Sequence, residues 1–225
     1  IDLLVPLEAH WRVLDLSGGY GARASVAAHW CREVVSVVTD PAHVPVLEAR
    51  VSEAPPGRFV LHRPGDQPPL EPASFQLIVV EGESPWTVEE VRALLQPGGW
   101  LIWLVEGASM PGHSRRLSDL PGAIRSGLEW GVGRVLAPRR WQKRLETAGY
   151  RMARIYTHPR EYVWGYLPID AYRVQRYYLE SLQEEAQGPG RGRAKVARWT
   201  GRLGIYPFLV SAYVVVARAV EGVRA

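Results

Sequence analysis

The sequence predicts an α/β fold organised around a mostly parallel sheet, and three stretches predict it. Trp11-Arg12-Val13-Leu14-Asp15-Leu16 is a short apolar strand, broken by three glycines in Ser17-Gly18-Gly19-Tyr20-Gly21 and followed by the alanine-rich, helix-prone Ala22–Ala28. Glu33–Thr39 is a second, β-branched strand that closes on Asp40-Pro41. Phe75-Gln76-Leu77-Ile78-Val79-Val80 is a nearly unbroken apolar run of the kind that central parallel strands carry. Strand, glycine turn and helix make the first half of a nucleotide-binding βαβ unit. The glycines let the backbone pass through positive φ and approach a ligand, and the helix beyond offers free N–H groups. A tight turn with no ligand is the structural alternative.

Composition bounds the rest. A chain of 225 residues suits one α/β domain with a decorated edge, and a hydrophobic fraction of 47% excludes wholesale disorder. No apolar run is long enough to span a bilayer, and Ile1-Asp2-Leu3-Leu4 does not read as a signal peptide. The single cysteine, Cys31, excludes a disulfide framework or a cysteine-rich metal site and fits a cytoplasmic home. The net charge of +4 is carried almost wholly by arginine, Lys143 and Lys195 being the only lysines. That charge is too small to argue for nucleic acid by itself.

The elements follow in order. Residues 1–10 read as a short helical lead-in. Asp40 stands about 20 residues past the glycines, where a ribose diol finds an acceptor, and it is equally a helix cap before Pro41. Pro41–Glu53 reads as a helix stopped by Pro55-Pro56-Gly57, and Phe59–His62 as a third strand running into Arg63-Pro64-Gly65-Asp66. Residues 67–74 form a proline-rich crossover too short for a helix. After the fourth strand comes Glu81-Gly82-Glu83-Ser84-Pro85-Trp86, then a helix over Thr87–Gln96 with Val88, Val91, Leu94 and Leu95 on one face. Pro97-Gly98-Gly99 turns the chain into a fifth strand, Trp100–Val105. Residues 107–138 read as a long irregular connection, Pro138–Ala148 as a helix, and Tyr150–Tyr156 as a sixth strand. Residues 157–205 are an aromatic and helical insertion, and Ser211–Arg218 is the closing strand.

This order resembles that of a class I S-adenosylmethionine-dependent methyltransferase of the small-molecule type 11 group. Four motifs carry the resemblance. Val13-Leu14-Asp15-Leu16-Ser17-Gly18-Gly19-Tyr20-Gly21 is similar to V-L-D-[LIV]-G-x-G-x-G. Asp40 stands at the strand-two acid, Gly65-Asp66 resembles the family's G-D, and Leu94-Leu95-Gln96-Pro97-Gly98-Gly99 resembles L-L-K-P-G-G. The likeness covers roughly residues 11–106, and weakly 138–156 and 206–218. Ser17 replaces the first glycine, and Gln76 replaces an acid at the buried start of strand four, where packing is at stake. The resemblance implies a seven-stranded Rossmann-like sheet in the order 3-2-1-4-5-7-6, its last strand antiparallel. It also implies a single domain over residues 1–225, with 157–205 as a lid between strands six and seven.

It further implies S-adenosylmethionine as cofactor, with no metal. Asp15, Ser17, Gly18, Gly19 and Gly21 would surround the methionine and ribose, Asp40 with Pro41 the ribose hydroxyls, Asp66 and Gln67 the adenine, and Glu81 the methionine end. Methyl transfer is an in-line displacement that mainly needs positioning and dryness. A base is needed only where the acceptor loses a proton, and His158, His113 and Glu83 are the candidates. His29 and His62 read better as parts of the protein body. Pro85-Trp86 faintly matches a turn that holds planar nitrogens in amine and nucleobase methyltransferases. Tyr162, Trp164 and Tyr166 would wall an acceptor pocket, or simply pack the insertion on the domain.

The function expected is methyl transfer to a small-molecule acceptor, O-methylation of a natural product or envelope glycan being favoured. The alternatives are a non-catalytic partner subunit of the same fold, an RNA methyltransferase and, further off, a nicotinamide enzyme. Scattered arginines disfavour nucleic acid, and a homodimer is left open.

Overall fold

Apolar, β-branched runs become strands here, and glycine, proline or an acid ends them. The computed structural model describes residues 4–17, 21–66, 69–82, 84–106, 141–157, 167–168 and 212–220. Along the chain lie β1 (Arg12–Leu16), α1 (Ala22–Trp30), β2 (Glu33–Val37), α2 (Val44–Glu53), β3 (Phe59–His62), β4 (Phe75–Glu81), α3 (Val88–Leu94) and β5 (Leu95–Glu106). They are followed by β6 (Tyr150–Thr157), β7 (Leu167–Pro168) and β8 (Ala212–Ala219). Residues 141–147 are also helical. The strands form one sheet in the order β3-β2-β1-β4-β5-β8-β6-β7. With the two-residue β7 set aside this is the expected 3-2-1-4-5-7-6, the expected seventh strand being β8.

The registers are parallel from β3 through β5, Val13 pairing with Val34 on one side and Leu77 on the other, and Leu77 with Trp100. Leu14, Leu77, Ile78 and Leu101 are completely buried, as they must be in a sheet covered on both faces. The Val220 N–H donates to the Gly149 carbonyl at 3.0 Å, so β8 finishes where β6 begins. The Arg218 guanidinium reaches the Gly98 carbonyl early in β5 at 3.1 Å. β8 therefore runs antiparallel to both neighbours. Gln76 has a packing role, as its place implies: its side-chain oxygen accepts the Arg12 N–H at 2.6 Å and ties the starts of β1 and β4 together.

The chain divides into two compact units, residues 1–104, 144–153 and 216–225 in one and 105–143 and 154–215 in the other. The first holds β1–β4 and α1–α3. In the second, Tyr156 and Thr157 pair antiparallel with Pro168 and Leu167. Among the described residues no helix is long and apolar enough to cross a membrane.

Local differences from expectation have local causes. Residues 4–10 form turns rather than a helix, with Pro6 among them. The helix expected over Pro41–Glu53 is a 3-10 turn, Pro41–His43, followed by α2, whose second residue is Pro45. A proline in the first helical turn loses nothing, because its N–H would have no partner there. β5 starts at Leu95, which pairs with Phe75, before the register slips so that Trp100 meets Leu77. Gly98, at φ 78°, absorbs that slip. A Cβ on Gly99 would lie 3.0 and 3.2 Å from the Gln96 and Gln76 carbonyl oxygens, so the Pro97-Gly98-Gly99 turn lies folded against β4.

Candidate functional site

The parallel strands present their carboxyl ends on one edge, where open α/β sheets bind ligands. β1 brings Asp15 there. Its side chain is buried, and its two oxygens accept the Ser17 N–H at 3.0 Å and the Ser36 hydroxyl at 3.3 Å. Burial raises the Asp15 pKa above the ordinary carboxylate value, against the pull of the Ser17 and Ser36 bonds and the Arg23 charge. The bond to residue 17 comes from the backbone, so serine in place of glycine leaves this anchor of the turn intact.

Gly21 sits at φ 67° as the cap of α1. A Cβ there would come within 2.2 Å of Leu47 Cδ2, so the missing side chain is what lets α1 approach α2. Two residues on, the Arg23 guanidinium pairs with Glu81 at the end of β4, at 2.6 Å.

Asp40 is exposed, and its Oδ1 accepts the Ala42 N–H at 2.9 Å, capping the 3-10 turn that Pro41 opens. Asp66 is exposed too, and takes the Arg63 N–H at 2.7 Å while its own N–H reaches the Arg63 carbonyl at 3.0 Å. Gly65, at φ 92°, closes that turn. Arg63 also pairs with Glu48 of α2.

Between these turns lies a cleft of about 430 Å³, within the ~300–1,000 Å³ range of small-molecule sites. Val37 lines it from the end of β2 with Val38 and Thr39 just beyond, Arg63–Asp66 from the turn after β3, Pro85 and Trp86 from the segment after β4, and Glu90 from α3. Asp40 adjoins the lining residue Thr39 without itself lining the cleft. Trp86 is fixed from both sides. Its N–H donates to the Ser84 hydroxyl at 3.2 Å. Thr87 and Glu90 then exchange bonds, Glu90 N–H to the Thr87 hydroxyl and Thr87 N–H to the Glu90 carboxylate. This capping box starts α3 immediately after Trp86.

The structure thus places Asp15, Ser17, Gly21, Asp40, Pro41, Asp66 and Glu81 at or just after the carboxyl ends of β1–β4. Gly18, Gly19, Gln67, Glu83, His113, His158, Tyr162, Trp164 and Tyr166 lie outside the described residues. So does most of the expected lid. Sequence reasoning did not single out Thr39, Arg63 or Arg23, and it noted in Pro85-Trp86 only a faint match to an acceptor-holding turn. Trp86 carried a signal, a lone aromatic after a proline at a strand end. Arg23 carried none, because its partner is 58 residues away. Among the described residues no group of three His, Cys, Asp or Glu side chains is placed to hold a metal ion.

No family model and no curated protein matches the sequence. Solved structures do match. A candidate S-adenosylmethionine-dependent methyltransferase from Listeria monocytogenes is similar over 98% of this chain and 95% of its own, at 13% identity and a TM-score of 0.57. An S-adenosylmethionine-dependent methyltransferase from Mesorhizobium loti is similar over 96% and 94%, at 18% identity and a TM-score of 0.52. Phosphoethanolamine N-methyltransferase 2 from Haemonchus contortus, in complex with S-adenosyl-L-methionine, is similar over 98% of this chain and 51% of its own, at 15% identity and a TM-score of 0.53. At such identities the likeness is one of fold. With its strand order, parallel registers and antiparallel β8, the chain has the Rossmann-like fold of the class I S-adenosylmethionine-dependent methyltransferases.

Proposed function

We propose that this chain is an S-adenosylmethionine-dependent methyltransferase acting on a small-molecule acceptor. The observation that carries the reading is the cleft beyond the ends of β2 and β3, walled by Trp86 and lined by Asp66, with Asp40 next to its lining residue Thr39. That donor and acceptor set fits the cofactor. The indole of Trp86 and the apolar Val37 and Val38 suit the flat adenine ring, and the Asp66 oxygen that Arg63 does not use suits its amine. Asp40 spends one oxygen on Ala42 and keeps the other for a ribose hydroxyl. Asp15 holds Ser17, at the head of the glycine turn, and we assign Ser17, Gly18, Gly19 and Gly21 to the methionine side. Bound there, the cofactor supplies a methyl group on a sulfonium for in-line displacement. The protein's part is to align the acceptor and exclude water. Residues 157–205, with Tyr162, Trp164 and Tyr166, take the role of lid. His158, His113 or Glu83 accepts the proton where a hydroxyl is methylated. Cys31 is a free, buried thiol, in keeping with a reducing, cytoplasmic setting.

Calorimetric titration with S-adenosylhomocysteine tests the reading. The native chain should bind it, and Asp66→Ala should weaken binding by about 10-fold or more, as loss of a hydrogen bond to a charged group does. No binding by the native chain at millimolar ligand would end the proposal. Binding without methyl transfer to any acceptor would favour a non-catalytic partner subunit.

A further inference from the structure

The helix α1 carries its apolar groups the wrong way round for a helix that only packs on a sheet. Its buried face is made of the small Ala24, Ser25, Ala27 and Ala28. Its two largest apolar side chains stand in solvent instead, Val26 at 57% and Trp30 at 66% exposure. Four residues apart, they are neighbours on one outer face. Among the described residues only one other large apolar side chain is exposed, Val46 at 39%. Charge gathers at the same corner. α1 runs back from the glycine turn to the amino ends of the strands, where the Arg32 N–H donates to the Trp11 carbonyl at 3.0 Å. Arg58, just before β3, reaches the last turn of α1, its guanidinium donating to the His29 carbonyl at 3.5 Å. The Arg58 carbonyl in turn accepts the Val34 N–H of β2 at 2.7 Å. His29, Trp30, Arg32 and Arg58 are all exposed. Among the described residues neither arginine has a carboxylate partner, and the acids nearest them along the chain are taken, Glu33 by Arg12 and Glu53 by Arg50. Trp30 thus projects from a corner that holds two uncompensated positive charges.

We propose that this corner docks the chain on the surface of an anionic lipid bilayer, Trp30 and Val26 settling at headgroup level and Arg32 and Arg58 binding lipid phosphate. The corner matches that surface layer by layer. An indole has an apolar body and a polar N–H, which suits the boundary between acyl chains and headgroups. A guanidinium grips a phosphate through parallel N–H bonds. Other occupants fit less well. A second copy of the chain, docked about a two-fold axis, would bring Arg32 and Arg58 against their own kind. A nucleic-acid strand stacks on successive rings, and among the described residues this corner exposes one. The apolar area is small, so docking needs ring and charges together and weakens with salt. The corner lies at the amino ends of the strands, so a docked chain keeps the cleft beyond their carboxyl ends turned to the water.

Co-sedimentation with lipid vesicles at low salt tests the proposal, with circular dichroism confirming the fold of each variant. The native chain should bind vesicles of phosphatidylcholine mixed with phosphatidylglycerol and leave those of phosphatidylcholine alone. Each arginine near an anionic surface contributes about fivefold in affinity, so Arg32→Gln combined with Arg58→Gln should weaken binding by about 10- to 30-fold. Trp30→Ala should weaken it by about 10-fold, as loss of a half-buried ring does. Trp30 is exposed enough for its loss to leave the fold intact, so this variant reads the corner independently should the arginine variant fail to fold. If the native chain leaves the mixed vesicles unbound, or binds both kinds equally, the proposal is wrong. Variants that bind as the native chain does would place the contact elsewhere and overturn it too. If light scattering shows a dimer that Trp30→Ala splits, a second copy covers the corner. If a single-stranded oligonucleotide binds and Trp30→Ala weakens it, nucleic acid does. Either result overturns membrane docking.

Discussion

At the scale of single residues, two groups at the glycine turn are set by packing as much as by ligand chemistry. Gly21 holds a left-handed conformation, which costs a residue with a Cβ about 1–2 kcal/mol. Its added methyl would also overlap Leu47 Cδ2, an overpacking that costs about 1–3 kcal/mol. Gly21→Ala should therefore lose about 2–5 kcal/mol in urea denaturation. Combining it with Leu47→Ala should give less than the sum of the two losses, because the steric part vanishes with the leucine. An unchanged midpoint in the single variant would refute this packing account. Asp15 is the converse case. Its burial is costly, and the Ser17 N–H and Ser36 hydroxyl offset that by holding both oxygens, which makes the carboxylate an anchor for the strand end.

At the scale of elements, α3 is only seven residues long and has little intrinsic tendency to form, so its start matters. The capping box supplies that start, and because Trp86 directly precedes Thr87, it also aims the wall of the cleft. Thr87→Ala should lower stability by about 1 kcal/mol and weaken ligand binding at the cleft. The same box gives a pH signature. The bonds from Thr87 lower the Glu90 pKa below its ordinary 4.5. A depressed acid contributes stability that is present above its unfolded value and lost as pH falls through its folded value. The stability gap between native and Thr87→Ala chains should thus be full at pH 7 and shrink below about pH 4.5. A gap independent of pH would show that Glu90 takes no part.

At the scale of the whole molecule, a single guanidinium closes the far corner of the first unit. Arg92, on α3, donates to the carbonyls of Leu95, Gly149 and Val220, at 3.4, 3.4 and 2.9 Å. It thus joins the start of β5, the start of β6 and the end of β8, the last of these 128 residues beyond Arg92 itself. Arg92→Met keeps the bulk of the stem and strips the donors that reach three carbonyls, of which that of Gly149 keeps the Val220 N–H. The loss should be about 1–3 kcal/mol, read from the urea midpoint, with cofactor binding unaltered because this corner lies at the opposite edge from the cleft. A neutral substitution would mean that the backbone pairing of β8 suffices.

The positions of the strands along the chain were legible because each strand of a doubly covered sheet must be a continuous apolar run, and glycine, proline and acids mark where it stops; their order in the sheet came from the family resemblance. Phe59–His62 and Phe75–Val80 stand out by that local rule, and so does the strand–glycine–helix start. The ends of such strands bring Asp15, Asp40, Asp66 and Glu81 to one edge by topology alone. Contacts between distant segments obey no local rule. That Leu47 fills the space beside Gly21, that Arg23 meets Glu81, and that Val38, Arg63 and Trp86 wall a common cleft depend on how helices pack on the sheet. The slip that starts β5 at Leu95 depends likewise on the fit of Gly99 against Gln76. The sequence determined the strands and the edge at which the parallel ones end, because periodicity and turn chemistry are properties of neighbours along the chain. The tertiary structure decided which side chains face one another across that edge, because those distances exist only once the segments are packed.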